Sequence, residues 1–336
     1  MVQVIITGGS GLVGSAIKEV ISKDDSLYKT HSFIFLSSKD VDLTNYDSTY
    51  NTFKNLLKDG EETYIIHLAA NVGGLFKNLN NNELMFETNM LINMNVLKAG
   101  HNLGIQHIVS ILSTCIFPDN VTYPIVEETL HNGAPHYSNS GYAYAKRMLE
   151  VQSKLYQRDF NRDYICVIPT NIYGAYDNFH LEDAHVIPAL IHKCYLSKIE
   201  NRPFVVMGSG KPLRQFIYSM DLAKLILWSL FSYKERENII LSVSETEEVS
   251  IQEVAEIIAE KMDYKSNLIF DTSKADGQYK KSVSNKRLLS FLAPQRGAEC
   301  ALSKSSLYPN FKFTSIQEGL NETIHWFLNN YPNIRK

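Results

Sequence analysis

The chain of 336 residues is long enough for one large or two ordinary domains, and its 44 % hydrophobic and 21 % charged residues have the balance of a soluble globular protein. Its 33 basic and 36 acidic side chains leave a net charge of −3, which offers no basic footprint for nucleic acid or an anionic membrane surface. No apolar run approaches the ~20 residues needed to cross a bilayer, and no signal peptide precedes the first strand. The four cysteines (Cys115, Cys166, Cys194 and Cys300) lie far apart with no metal spacing, so a reduced, cytoplasmic setting without metal is expected.

Strand-like and helix-like patterns alternate from the start. Residues 2–7 read as strand, 12–23 as amphipathic helix, 32–37 as strand and 46–59 as helix. Then come strand 63–69, a long helix over 82–104, strand 107–113, helix 142–160 and strand 163–170. Apolar, β-branched strands alternating with helices predict a parallel sheet covered on both faces, doubly wound, with its ligand at the strand carboxyl ends. After residue 170 the rhythm loosens. A helix is expected from about Ala184, and short strands flank the glycine turn in "VVMGSGKPLRQFIY". Another helix follows over 219–231, with Ser219 as N-cap, then a strand in "NIILSV". A helix opened by a Ser250/Glu253 capping box comes after it.

"TGGSGLVG" (7–14) sets Gly8, Gly11 and Gly14 between the first strand and the first helix, followed in register by Leu12 and Val13. Glycines there permit a tight turn and close approach of a pyrophosphate to the helix N-terminus, which makes this a dinucleotide loop of Rossmann type. The second strand runs out in "FLSSKD", with Lys39 where an acidic residue would bind an NAD ribose. A lysine there suits the 2′-phosphate of NADP, though it also reads as a solvated loop residue.

"GYAYAKRMLE" holds Tyr142 and Lys146 four apart, offset by about 40° on one helix face, whereas Tyr144 points elsewhere. An ammonium under Tyr142 would lower its pKa towards working pH. With Ser113 at the end of the fourth strand, this set resembles the extended short-chain dehydrogenase/reductase family, which acts on nucleotide sugars. "PTNIYG" (169–174) and "RQFIYSMDLA" (214–223) extend the resemblance over nearly the whole chain. It implies a Rossmann domain (1–172 plus about 214–245) and a smaller C-terminal α/β substrate domain (173–213 plus about 246–336). It also implies a homodimer that binds NADP(H) through the glycine loop, Lys39, Lys146, Pro169, Asn171, Ile172 and His185.

"STCIFP" adds Cys115 two residues after Ser113. A buried thiol is most often a small hydrophobe filling space. Within the family, however, "STCIFP", "HLAANVGG", "IPTNIYGAYDNFH" and "AHVIPALIHK" resemble members that epimerise and then reduce a GDP-bound 4-keto-6-deoxy sugar. A 4-ketone acidifies the protons on both neighbouring carbons, and inverting those centres needs a proton donor and a proton acceptor on opposite faces. A thiol and an imidazole, with free pKa values of about 8.5 and 6.5, suit such an exchange. The resemblance implies Cys115 as base and His185 as acid; the residues alone leave His180 as an equal candidate. It further implies Lys193 and Arg214 at the diphosphate and Asp276 at the guanosine. Two features depart from the pattern: Met207 stands where a tryptophan is usual, and residues 290–306 read as an inserted loop.

Overall fold

The computed structural model describes residues 1–274, 276, 278–292, 307, 308 and 311–336. Its strands are β1 (Val2–Thr7), β2 (His31–Leu36), β3 (Glu62–His67), β4 (His107–Ile111), β5 (Asp163–Pro169), β6 (Asn171–Tyr173), β7 (Phe204–Met207), β8 (Leu213–Arg214), β9 (Phe216–Tyr218), β10 (Ile239–Leu241), β11 (Val249–Ser250) and β12 (Leu268–Asp271). Its helices are α1 (Leu12–Ser22), α2 (Asp25–Thr30), α3 (Tyr46–Leu56), α4 (Leu75–Asn80), α5 (Asn82–Asn102), α6 (Ser140–Phe160), α7 (Val186–Ile199), α8 (Ser219–Phe231), α9 (Ile251–Lys261), α10 (Lys286–Leu292) and α11 (Ile316–Asn330).

Six strands form one sheet in the order β10-β5-β4-β3-β1-β2, and every neighbouring pair is parallel. Alternation along each strand sends side chains to two separate cores. Ile5, Ile65, Ile108 and Ile168 face a cluster with Phe53 of α3, Val96 of α5 and Leu149 of α6. Val4, Ile66, Val109 and Val167 face the other cluster, built with Ile17 and Val20 of α1 and Leu222 and Ile226 of α8. The expected doubly wound sheet is therefore present. Its strand order reverses beside β1, which opens a crevice at the carboxyl ends of β1 and β3.

A third cluster makes the smaller lobe: Ile187 and Ile191 of α7, Phe204 of β7, Val254 and Ile258 of α9, and Leu320 and Phe327 of α11. Pairs β6–β9, β7–β12 and β8–β11 lie outside the main sheet, whereas β10 rejoins it. Gln215 ties the parts together. Its side-chain amide donates to the carbonyls of Val243 and Val283 and accepts from the Val283 N–H.

Several expectations need correction. The fourth strand ends at Ile111, two residues early, because Ser113 instead caps a 3₁₀ turn over Thr114–Ile116. Ser219 is the first residue of α8, not its cap; Tyr218 occupies the cap position without a side-chain bond. Residues 290–292 belong to α10, where Phe291 meets the Tyr233 ring edge-on at 5.1 Å, and 293–306 lie outside the described residues. Four helices (α2, α4, α10 and α11) were not anticipated. The Ser250/Glu253 capping box is present as read, and two more occur, Ser244/Glu247 at a 3₁₀ turn and Ser315/Glu318 at the start of α11.

Helix α11 crosses so near β6 that a methyl group on Gly319 would lie 2.0 Å from the Tyr173 hydroxyl oxygen. Tyr173 is 1 % exposed and has no room to retreat. Gly319→Ala is therefore expected to lower stability by about 1–3 kcal/mol through overpacking. Urea unfolding of the two proteins, with unchanged m, checks this.

Candidate active site

The β1–α1 turn has the shape of a phosphate cradle. Gly8 sits at φ +71°, and a Cβ there would lie 2.8 Å from the Ala69 amide nitrogen; one on Gly14 would lie 2.7 Å from the Gly8 carbonyl oxygen. The Gly11 N–H closes the turn on the Gly8 carbonyl at 3.0 Å. Gly11, the N-cap of α1, has no side chain to occupy the first amides, so the helix end with Leu12 and Val13 is open to an anion. These residues fit a dinucleotide pyrophosphate. Beyond β2, Asp40 accepts from the Ser37 amide and hydroxyl, bonds that hold its carboxyl below the usual range. That turn presents Lys39 exposed on the same edge of the sheet. Pro169 ends β5; Asn171 and Ile172 lie in β6, and the Asn171 amide donates to the Gln215 carbonyl.

Ser113, Cys115, Tyr142 and Lys146 come together at the carboxyl end of β4. The Ser113 hydroxyl accepts from the Cys115 N–H at 3.4 Å and so begins the 3₁₀ turn that buries the thiol. Helix α6 brings Tyr142 and Lys146 on one face, with the ammonium 5.9 Å from the centre of the phenol ring. Lys146 is 1 % exposed and donates to the Ile111 carbonyl at 2.9 Å; burial pulls its pKa down to about 8. The expected lowering of the Tyr142 pKa does not occur. Burial, and next the neighbouring Cys115, push the phenol up. Desolvation of a phenolate outweighs a cation that lies against the ring and spends a hydrogen bond on the backbone. Burial also pushes the Cys115 thiol up, against the charges of Lys281 and Lys146 and the bond to Ser113.

Lys281 is the residue that sequence reasoning missed. It is surrounded by Cys115, Arg214 and Asp119, and burial holds its amine below the usual range. Its segment is laid beside the cluster by the Ile125 N–H donating to the Ser282 carbonyl and the Ser284 N–H to the Ile125 carbonyl. Arg214 stands next to it and donates to the carbonyls of Leu213 and Gln278. Asp276 accepts from the amide and hydroxyl of Ser209, which fastens it to the glycine turn after Met207, itself 61 % exposed.

The two histidines separate clearly. His180 is occupied by its own turn, its Nδ1 accepting from the amides of Glu182 and Asp183. His185 is the N-cap of α7; its carbonyl accepts from the Ala189 N–H, and its imidazole has no hydrogen bond among the described residues. Its side chain is open to solvent yet walled by protein, which lowers its pKa and keeps the imidazole neutral. Lys193, half-buried on the same helix, is likewise held below the usual amine range by burial. The structure thus groups Ser113, Cys115, Tyr142 and Lys146 directly, adds Lys281 and Arg214, and leaves His185, Lys193 and Asp276 on the smaller lobe.

A parallel sheet with a glycine cradle and a Ser–Tyr–Lys set at its carboxyl edge defines a dinucleotide-dependent enzyme. The chain belongs to the NAD dependent epimerase/dehydratase family, whose model matches residues 4–243. It is 48 % identical to the GDP-L-fucose synthase of Dictyostelium discoideum over 99 % of this chain and 97 % of that one. It is 44 % identical to the probable GDP-L-fucose synthase of Drosophila melanogaster over the full length of both. Among solved structures, a GDP-L-fucose synthetase from Naegleria fowleri bound to NADP superposes with a TM-score of 0.87 at 42 % identity, over 99 % of this chain and 95 % of that one.

His67 sits beneath the cradle and supplies a pH test. Its fully buried ring bonds Thr7 at 2.8 Å and Asn93 at 3.1 Å, and burial, then the charge of Lys146, bring its pKa down to about 3. The unfolded chain protonates this ring near 6.5 and the folded chain only near 3. Its contribution is therefore whole above pH 6.5 and lost as pH falls from there. His67→Gln is expected to shrink the stability difference between pH 7 and pH 4.5, measured by urea unfolding at each pH.

Proposed function

We propose that the chain converts GDP-4-keto-6-deoxy-D-mannose to GDP-L-fucose, inverting C3 and C5 and reducing the 4-ketone with NADPH. The observation that carries this reading is the Cys115 thiol inside the Ser113–Tyr142–Lys146 cluster. A plain ketosugar reductase, or a 4-epimerase with tightly held NAD, needs the serine, tyrosine and lysine but no thiol.

Ser113 and Tyr142 hold the C4 oxygen and stabilise the enolate left when a neighbouring proton departs. Cys115 takes that proton and His185 returns one on the opposite face. Burial at rest favours the neutral thiol and neutral imidazole. Thiolate with imidazolium carries the same number of protons, so the working state is reached by moving one proton and not by gaining one. Lys281 and Lys146 favour the thiolate of that state. NADPH, when bound, supplies the hydride for C4. It would be held by the Gly8–Gly14 turn, Lys39 on the adenosine side, Lys146 and the Pro169–Ile172 strand end. Tyr142, kept neutral by burial, is the phenol that protonates the C4 oxygen, with Lys146 beside it. Lys193, Arg214 and Lys281 meet the diphosphate, and Asp276 the guanosine. Met207 offers that base a flexible thioether instead of a rigid ring.

The protein assembles as a homodimer through the outer faces of α5 and α6, which leave Leu84, Leu91 and Met94, and Tyr144 and Leu155, exposed at helical spacing. The reading assigns the reaction to the cytoplasm, supported by the free thiols of Cys115, Cys166 and Cys194.

In D₂O with NADPH, the product is expected to carry two carbon-bound deuteriums. Cys115→Ala or His185→Gln should cut incorporation by about 10²-fold or more, whereas Tyr142→Phe should chiefly arrest NADPH oxidation. Reduction without deuterium would make the chain a plain reductase. For the dimer, Leu91→Glu with Met94→Glu is expected to halve the mass seen by light scattering while the far-UV spectrum is retained.

A further inference from the structure

Arg147 follows Lys146 on α6, and nothing in the proposed chemistry uses it. It is 5 % exposed, yet no carboxylate pairs with it among the described residues. Its Nε donates to the Ile116 carbonyl at 2.5 Å, the last residue of the 3₁₀ turn that carries Cys115. One face of the guanidinium lies 5.6 Å from the centre of the Tyr144 ring, and its Nη2 is buried without an acceptor. An unpaired buried cation is costly to keep, because the desolvation it suffers is not offset by an opposite charge. Two neighbouring groups that could become anions would favour the guanidinium, the exposed Tyr144 phenol first and the buried Cys115 thiol after it.

We propose that Arg147 is a positioning residue for Cys115: its hydrogen bond to Ile116 fixes the turn that aims the thiol, and its unpaired charge favours the thiolate. This rests on Cys115 being the base of the epimerisation. One helix then serves both halves of the reaction. Its inner face sends Tyr142 and Lys146 to the C4 oxygen, and the next residue along holds the group that works on C3 and C5. The other cations around the thiol are Lys146 from the same helix and Lys281 from the neighbouring segment, and the Tyr142 phenol faces it as well. Arg147 differs from both by bonding the thiol's own turn.

Two assays separate the halves. Deuterium wash-in at C3 and C5 of the 4-keto substrate without NADPH reads epimerisation alone. Back-oxidation of GDP-L-fucose by NADP⁺ reads the C4 step, with no proton moved at C3 or C5. Arg147→Met should slow wash-in about ten-fold or more and leave back-oxidation within about two-fold. Arg147→Lys, which keeps the charge but not the fork, should fall between. The pH midpoint for iodoacetamide alkylation of Cys115, followed by mass spectrometry of its peptide, should rise in Arg147→Met and less in Arg147→Lys. Wash-in unchanged in Arg147→Met, or wash-in and back-oxidation falling together, would overturn the proposal. Cys115→Ser is run alongside. If it spares wash-in, the role of Cys115 itself fails; if it abolishes wash-in while Arg147→Met does not, only the role of Arg147 fails.

Discussion

The hydrogen bond from the Lys146 ammonium to the carbonyl of Ile111 joins the two parts of the molecule on which the rest depends. Ile111 is the last residue of β4, so its carbonyl points beyond the sheet and needs a donor that the ladder does not supply. Lys146 is buried and partly stripped of water, so its ammonium needs acceptors. Each satisfies the other, and the bond fixes the register of α6 against the end of β4. Tyr142 lies one helical turn before Lys146, and Ser113 and Cys115 follow directly after the strand. Setting that one contact brings all four to the same place.

The same burial decides their protonation. Tyr142 and Cys115 are pushed up and Lys146 and His185 down, and in each case desolvation is the leading cause. At rest desolvation favours the neutral form of each of these groups, the cheaper state where several cations stand close together. A developing enolate changes that balance. On the proposed chemistry, negative charge at the C4 oxygen would give Ser113, Tyr142 and Lys146 something to stabilise that is absent from the resting protein, and interactions present only then are the ones that accelerate a reaction.

The smaller lobe shows how much depends on weakly patterned chain. Residues 278–285 have no regular structure beyond an isolated bridge, yet they bring Lys281 beside Cys115 and seat Ser282 on Glu248. Gln215, 1 % exposed, spends its whole amide on holding that segment to β9 and to the end of β10. Such a network leaves no polar atom of the side chain unpaired, and it links Arg214 to Lys281 through backbone instead of through their own charges.

Much of the first lobe was legible because its signals are local. Apolar strands of the VQVIIT kind and 3.6-residue periodicity repeat through residue 169, and the glycines, the Tyr142–Lys146 spacing and Ser113 all fall within or beside those elements. Helix α11 lies beyond the regular alternation, although the Ser315/Glu318 capping box and the stripe of Leu320, Ile324 and Phe327 are local signals too. The choice between His180 and His185 was undecidable from composition. The structure distinguishes their surroundings by a turn in which two backbone amides occupy the His180 ring and leave the His185 ring bare. Lys281 and Arg147 read as surface charges, one in a lysine pair and the other in a basic step on an amphipathic helix. Local pattern was enough for the sheet, its glycine loop and the four residues that the end of β4 and the start of α6 carry, because each depends on neighbours a few positions away. Which charges surround the thiol, and which way burial shifts each group, follow from the packed chain, because burial and long-range proximity exist only once distant segments have packed.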